Sequence, residues 1–143
     1  MIMSVEHPSR DTLKKWLEEA KTIAVVGLSN NPNRTSYQIA VAMEQAGYTI
    51  VPVNPNISDW QGKKAFASLD EVDIDIDIVN VFRRSVFVKD LLEPFLRIGA
   101  KTFWTQLGVQ DEYVYKQLTE KGVQVVMDRC IKVEQAITGA TPK

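Results

Sequence analysis

Five short apolar runs punctuate the chain: TIAVVG (22–27), YTIVPV (48–53), IDIVNVF (76–82), KTFWTQ (101–106) and VQVVMD (123–128). Continuous apolar runs of this length are what strands buried on both faces look like, and parallel strands need crossover connections, usually helices. Helix-like spacing lies between most of these runs, so the pattern predicts a doubly wound α/β fold: a mostly parallel sheet of five to six strands with helices on both faces. The sixth strand would be a short one near Ala65 and Phe66. At 143 residues the chain fits one domain, 1–143. That size buries roughly two thirds of the unfolded surface, so no metal or disulfide is needed to hold it together.

The connecting segments carry helix signals. Ser9 can cap a first helix with Leu13, Trp16, Leu17 and Ala20 on one face. A second starts near Thr35 or Ser36, buries Ile39, Ala42, Met43 and Ala46, and stops at Gly47. The turn Asn54, Pro55, Asn56 closes the second run, and Gly62 marks another turn in the irregular stretch 57–72. Ser68 and Glu71 have capping-box spacing for a brief helix. Ser85 can cap a helix to Ile98 with Gly99 as its stop, and Pro94 inside it predicts a kink. Asp111 can cap a helix ending near Gly122, and Ile131, Val133, Ala136 and Ile137 are left in a short tail.

A net charge of −1 gives no long-range pull on nucleic acid or anionic membrane. The N-terminal segment has no signal-peptide pattern, and no apolar run approaches the roughly 20 residues of a membrane span. The single cysteine, Cys130, excludes an internal disulfide and suits a reducing compartment. These features predict a cytoplasmic protein.

In an open parallel sheet ligands bind beyond the carboxyl ends of the strands, which selects 28–36, 54–60, 83–85, 107–111 and 129–131 as candidate segments. The first leads into a helix N-terminus, where free N–H groups and the helix dipole favour an anion. Ser29, Asn30, Thr35 and Ser36 add neutral donors there and Arg34 adds a charge, although the same residues also build turns and caps. The loop is neither a dinucleotide nor a triphosphate fingerprint: it has one glycine, Gly27, and no lysine, and Asn54 stands where a ribose-binding carboxylate would be expected.

Arg83 and Arg84 follow the third run at the same edge, where paired guanidinium groups can hold phosphate and Phe82 can flank a base; the alternative is a solvated strand end. Asp73, Asp75 and Asp77 alternate but fall at the opposite, amino end, so they read as a solvated strand start and no metal is expected. His7 has no evident partner near the terminus. Cys130 lies at the functional edge, either as a small packed side chain or as a thiol facing another thiol. The residues supply anion donors with no evident catalytic acid, base or nucleophile.

The segments GLSNNPNRTSYQIA, GYTIVPVNPN, DIVNVFRRS, WTQLGV and VVMDRCIKVE, in order from about Thr22 to Glu134, resemble the family of small stand-alone CoA-binding domain proteins. That family is similar to the CoA-binding domain of the succinyl-CoA synthetase α-subunit. The resemblance implies a Rossmann-like fold with coenzyme A across the strand carboxyl ends. It places Gly27, Leu28, Ser29, Asn30, Pro32, Arg34, Thr35, Ser36 and Tyr37 at the diphosphate. Val53, Asn54 and Pro55, with Phe82, Arg83 and Arg84, would border the adenosine and its phosphates, and Trp104, Gln106 and Gly108 would line the way to the pantetheine end.

The leading expectation is a CoA-binding or acyl-CoA-binding module without catalysis of its own: a carrier, a sensor or a partner of another, unidentified enzyme. The alternatives are an NAD-dependent oxidoreductase and a CoA-thiol redox protein using Cys130. In the synthetase the covalent chemistry depends on a phosphorylated histidine in another domain, and this chain has only His7, so an independent ligase is not expected.

Overall fold

The computed structural model describes residues 5–143. Five strands form one parallel sheet: β1 (Thr22–Val26), β2 (Thr49–Val53), β5 (Ile78–Val81), β6 (Thr102–Thr105) and β7 (Gln124–Val126). Their spatial order is β2-β1-β5-β6-β7, so the chain builds outward from β1 in one direction and then returns to build in the other. The reversal opens a crevice between the exits of β1 and β5. This is the expected Rossmann-like, doubly wound α/β architecture.

Strand alternation divides the core into two layers. Ile23, Val25, Ile50, Ile78, Trp104 and Val126 face one side. There they meet α1 (Arg10–Glu18), α2 (Thr35–Gln45) and α5 (Ile131–Thr138) through Leu13, Leu17, Ile39, Met43 and Ile131. Ala24, Val51, Val79, Val81, Phe103 and Val125 face the other, under α3 (Leu92–Ile98) and α4 (Glu112–Glu120) through Phe95, Val114 and Leu118. Pro52 is tolerated in β2 because that strand is an edge, where a missing N–H removes no ladder bond from a second neighbour.

The helix signals at Ser9 and Asp111 are realised: each side chain accepts the backbone N–H three residues on, from Thr12 and Val114. Others resolve differently. Arg34 occupies the cap position of α2 without a side-chain bond, so neither Thr35 nor Ser36 caps it; the Ser36 hydroxyl instead accepts the Ser29 N–H at 3.0 Å. Among the residues expected on its buried side, Ala42 and Ala46 are only half-buried, and Ala40 is buried in their place. The Ser68–Glu71 capping box does not close, and only a 3₁₀ turn forms at Leu69–Glu71.

The expected helix 85–98 is two pieces, a 3₁₀ segment Ser85–Leu91 followed by α3. Pro94 is the third residue of α3, where the N–H has no partner within the helix, so it sits at a helix start and kinks nothing. Ser85 accepts the Gln110 N–H and ties two strand exits together. The tail after β7 is the helix α5.

In place of a sixth strand in the main sheet, β3 (Asp59–Trp60) and β4 (Lys63–Lys64) form a small antiparallel hairpin. Gln61 and Gly62, both at positive φ (50° and 79°), make its two-residue turn. Phe66 makes a single parallel bridge to Val53. Asp77 at the amino end accepts the Lys21 and Thr22 N–H groups and so braces the start of β1.

Candidate functional site

The exits of β1, β2 and β5 converge on a polar cleft of about 530 Å³, lined by Gly27, Ser29, Asn33, Arg34, Thr35, Ser36, Asn54, Asn56, Ile57 and Phe82. The cleft exists because the backbone at Gly27 bends at φ 84°. A side chain there would run into the Phe82 carbonyl oxygen, so the β1 and β5 exits approach only across a glycine. The Gly27 N–H donates to the Val53 carbonyl at 2.8 Å and the Phe82 N–H to the Val26 carbonyl at 2.8 Å. These bonds carry the sheet ladder to the lip of the cleft.

The loop above it is stiffened by its own side chains. Ser29 Oγ accepts from the Asn31 N–H and Asn31 Oδ1 from the Asn33 N–H, both at 3.0 Å. Asn54 does two jobs: its Nδ2 donates to the Leu28 carbonyl at 3.0 Å and its Oδ1 accepts the Asn56 N–H at 2.9 Å. An aspartate could not donate the first of these bonds. The residue where a dinucleotide fold keeps a ribose-binding carboxylate is therefore an amide that joins two strand exits. Thr35 and Ser36, the first two residues of α2, line the cleft beside the exposed Arg34, so the amino end of the helix lies at the cleft.

A second hollow of about 280 Å³ adjoins the first across the strand tips. Val26, Val53, Pro55, Leu69, Leu91 and Pro94 give it an apolar floor, and Arg83, Asp70 and Asp90 stand at its rim. The Arg83 guanidinium lies 5.4 Å from the Phe87 ring centre, while Arg84 is exposed at the cap position of the following 3₁₀ segment. Of the two arginines, only Arg83 borders the hollow.

The expected residues thus separate. Gly27, Ser29, Arg34, Thr35, Ser36, Asn54 and Phe82 line the cleft, and Val53, Pro55 and Arg83 line the hollow. Asn30 and Pro32 are exposed in the loop, with the Pro32 carbonyl accepting from Gln38 Nε2. The Leu28 side chain is buried in the core. Tyr37 packs edge-on to Trp60 with ring centres 5.5 Å apart, and its hydroxyl accepts from Gln61 Nε2. Asn33, within the range 27–37 expected at the diphosphate, also lines the cleft, as do Asn56 and Ile57, which were not expected as site residues although they lie in a strand-exit segment that topology selects.

Farther along the edge, Trp104 does not line an open path. It is fully buried and its indole N–H donates to the Arg129 carbonyl at 2.9 Å, because inward strand alternation carries it into the core layer. Gly108 is exposed, and its N–H donates to Asp128 Oδ1 at 2.6 Å. Gln106 is buried and its Oε1 meets no donor among the described residues. Asn80, on β5 and facing the same layer, is 1% exposed with an equally unpartnered Oδ1. An unmet buried acceptor costs about 1–3 kcal/mol, so each of these calls for a donor from ordered water or a ligand.

Such an edge offers donors for an anion beside an apolar surface. Comparison with known proteins bears on the same point. Residues 21–136 match the family model of the CoA binding domain. The uncharacterized protein YneT of Bacillus subtilis strain 168 is 50% identical over 134 residues, covering 94% of this chain and 99% of that protein. The acetate–CoA ligase [ADP-forming] II subunit alpha of Pyrococcus furiosus is 34% identical over 122 residues, 78% of this chain but 27% of the subunit. A solved structure from Thermus thermophilus is 33% identical with a TM-score of 0.87, covering 92% of this chain and 99% of that one. With most of its length matched by the family model and almost the whole of one relative aligned at half identity, the chain belongs to the CoA-binding domain family.

Proposed function

We propose that this protein is a single-domain CoA-binding module that holds the cofactor along the carboxyl edge of its sheet. The observation that carries the reading is the pairing of a polar cleft at the α2 N-terminus with a hollow beside it that has an apolar floor and Arg83, Asp70 and Asp90 at its rim. In this reading the diphosphate lies over Gly27 and Ser29 against the first N–H groups of α2, with Arg34 adding charge. Adenosine occupies the hollow against Val53 and Pro55, where Arg83 meets its 3′-phosphate. The arm then runs along the edge past Phe82 and Gln106. Bound CoA supplies a thiol; the described site residues bind and orient it, and none is arranged as a nucleophile with its base.

Thermal melts with CoA and with NAD test the proposal. CoA at about a hundred times its dissociation constant should add about 2.7 kcal/mol, a midpoint rise of roughly 5 to 10 °C for a chain of this size. NAD should add far less, because the residue at the end of β2, Asn54, is an amide that offers its carbonyl to its own turn. A rise with NAD and none with CoA would overturn the reading.

A further inference from the structure

We propose that the edge ends in a covalent docking point: Cys130 receives the sulfur of bound CoA and exchanges with CoA disulfide to form a mixed disulfide. The inference rests on the CoA reading above and adds the direction of the arm, its length and the fate of its thiol.

Direction follows from topology. With adenosine beside the β2 exit and the diphosphate over the β1 exit, the arm continues across β5 and β6 toward β7. Neighbouring strands lie about 4.8 Å apart, so the β1 and β7 exits are separated by about 14 Å. The pantetheine arm has about twelve bonds from phosphate oxygen to sulfur, as many as four peptide residues, and so reaches about 14 Å when extended. The two lengths agree.

Cys130 stands where that reach ends. It follows β7 at the cap position of α5, half-buried, as a free thiol packed against the α1, α2 and α5 layer. The β6 and β7 exits are joined beside it, with the Arg129 N–H donating to the Thr105 carbonyl at 3.3 Å. An independent observation marks the same route. Asn80 on β5 and Gln106 after β6 share the parity of Trp104, which pairs with Asn80 in register, so strand alternation turns both toward the layer that Cys130 contacts. Both are more than nine-tenths buried, and both carry an oxygen with no donor. The arm brings two amide N–H groups and a hydroxyl past these positions.

The step balances as an exchange. The Cys130 thiolate attacks one sulfur of CoA disulfide, the new Sγ–S bond forms as the old S–S bond breaks, and the departing CoA thiolate takes up the proton that Cys130 gave to solvent. CoA disulfide is the oxidant, and one disulfide is replaced by another.

Intact-mass time courses on the full chain test this, with CoA disulfide and glutathione disulfide at equal concentration and calorimetry with reduced CoA alongside. Wild type should gain one CoA adduct at least tenfold faster than a glutathione adduct, and Cys130→Ser should gain neither. Acetyl-CoA, which fills the same edge without a free thiol, should slow the CoA reaction. Gln106→Met should slow it severalfold and leave the glutathione reaction unchanged. Equal rates for the two disulfides, or a CoA adduct on Cys130→Ser, would overturn the proposal. If calorimetry shows CoA binding while the rates are equal, the docking point falls and the binding reading stands. If CoA does not bind, both fall.

Discussion

Arg83 and Arg84 are adjacent in sequence and equivalent in chemistry, but the turn after β5 sends them to different places. Both are exposed, but Arg83 borders the apolar hollow beside Pro55 and leans over Phe87, whereas Arg84 lies at the cap position of the following 3₁₀ segment. Replacing Arg83 by Ala should therefore weaken CoA binding by roughly 1.5 to 3 kcal/mol, the range for a hydrogen bond to a charged group. It should matter much less for dephospho-CoA, which lacks the 3′-phosphate. Arg84→Ala should leave both ligands near wild type. Isothermal titration of the two variants with the two ligands separates the cases, and an equal loss for both ligands would move Arg83 to the diphosphate. That both arginines leave β5 at this edge was legible in the sequence. Which of them borders the hollow was not, because adjacent residues leaving a strand diverge according to the tertiary path of the loop.

At the scale of elements, caps and breakers were readable only where the signal is local. Ser9 and Asp111 cap their helices because the bond spans three residues and needs nothing else. Ser36, Ser68 and Ser85 carry the same local signal, and none caps; Ser36 and Ser85 are drawn instead into bonds with Ser29 and Gln110 on neighbouring segments. Pro94 shows the consequence for stability. Placed mid-helix it would cost about 3 kcal/mol, so its removal would stabilise the protein by that much. In the first turn of α3 it removes no bond within the helix, so Pro94→Ala should change stability by no more than about 0.5 kcal/mol. Urea unfolding of the two proteins decides this, and a large gain would restore the kinked helix.

Across the whole molecule, Tyr48 joins distant parts of the chain. It sits just before β2, is 2% exposed, and donates its hydroxyl to the Leu17 carbonyl of α1 at 2.6 Å. Burial, and then the nearby Glu18 carboxylate, push its ionisation up from 10.0 to about 12. An unfolded chain releases this proton near pH 10 and the folded one holds it to about 12, so the stabilisation is complete below pH 10 and is lost as the pH rises through that interval. Melting midpoints should fall between pH 10 and 12 by the equivalent of about 2 kcal/mol. Tyr48→Phe should cost roughly 1 kcal/mol at neutral pH and flatten the alkaline fall. A parallel fall in both proteins would place its cause elsewhere.

The sequence by itself determined the class of fold, the family and which polar segments meet at the carboxyl edge of the sheet, since apolar runs, glycine at the first strand exit and a string of polar exit segments are properties of short windows. It did not reveal the split helix before and through Pro94, the helix at residues 131–138, or the hairpin in place of a sixth sheet strand, because their formation depends on what packs against them. Nor could it tell that Trp104 is core while Gln106, two residues on and facing the same layer, keeps an unmet oxygen. Both statements depend on neighbours far away in the chain: the Arg129 carbonyl that satisfies the indole lies 25 residues on, and nothing comparable reaches Gln106. Burial and satisfaction of a polar group belong to the assembled sheet and its covering helices, and only the tertiary structure supplies them.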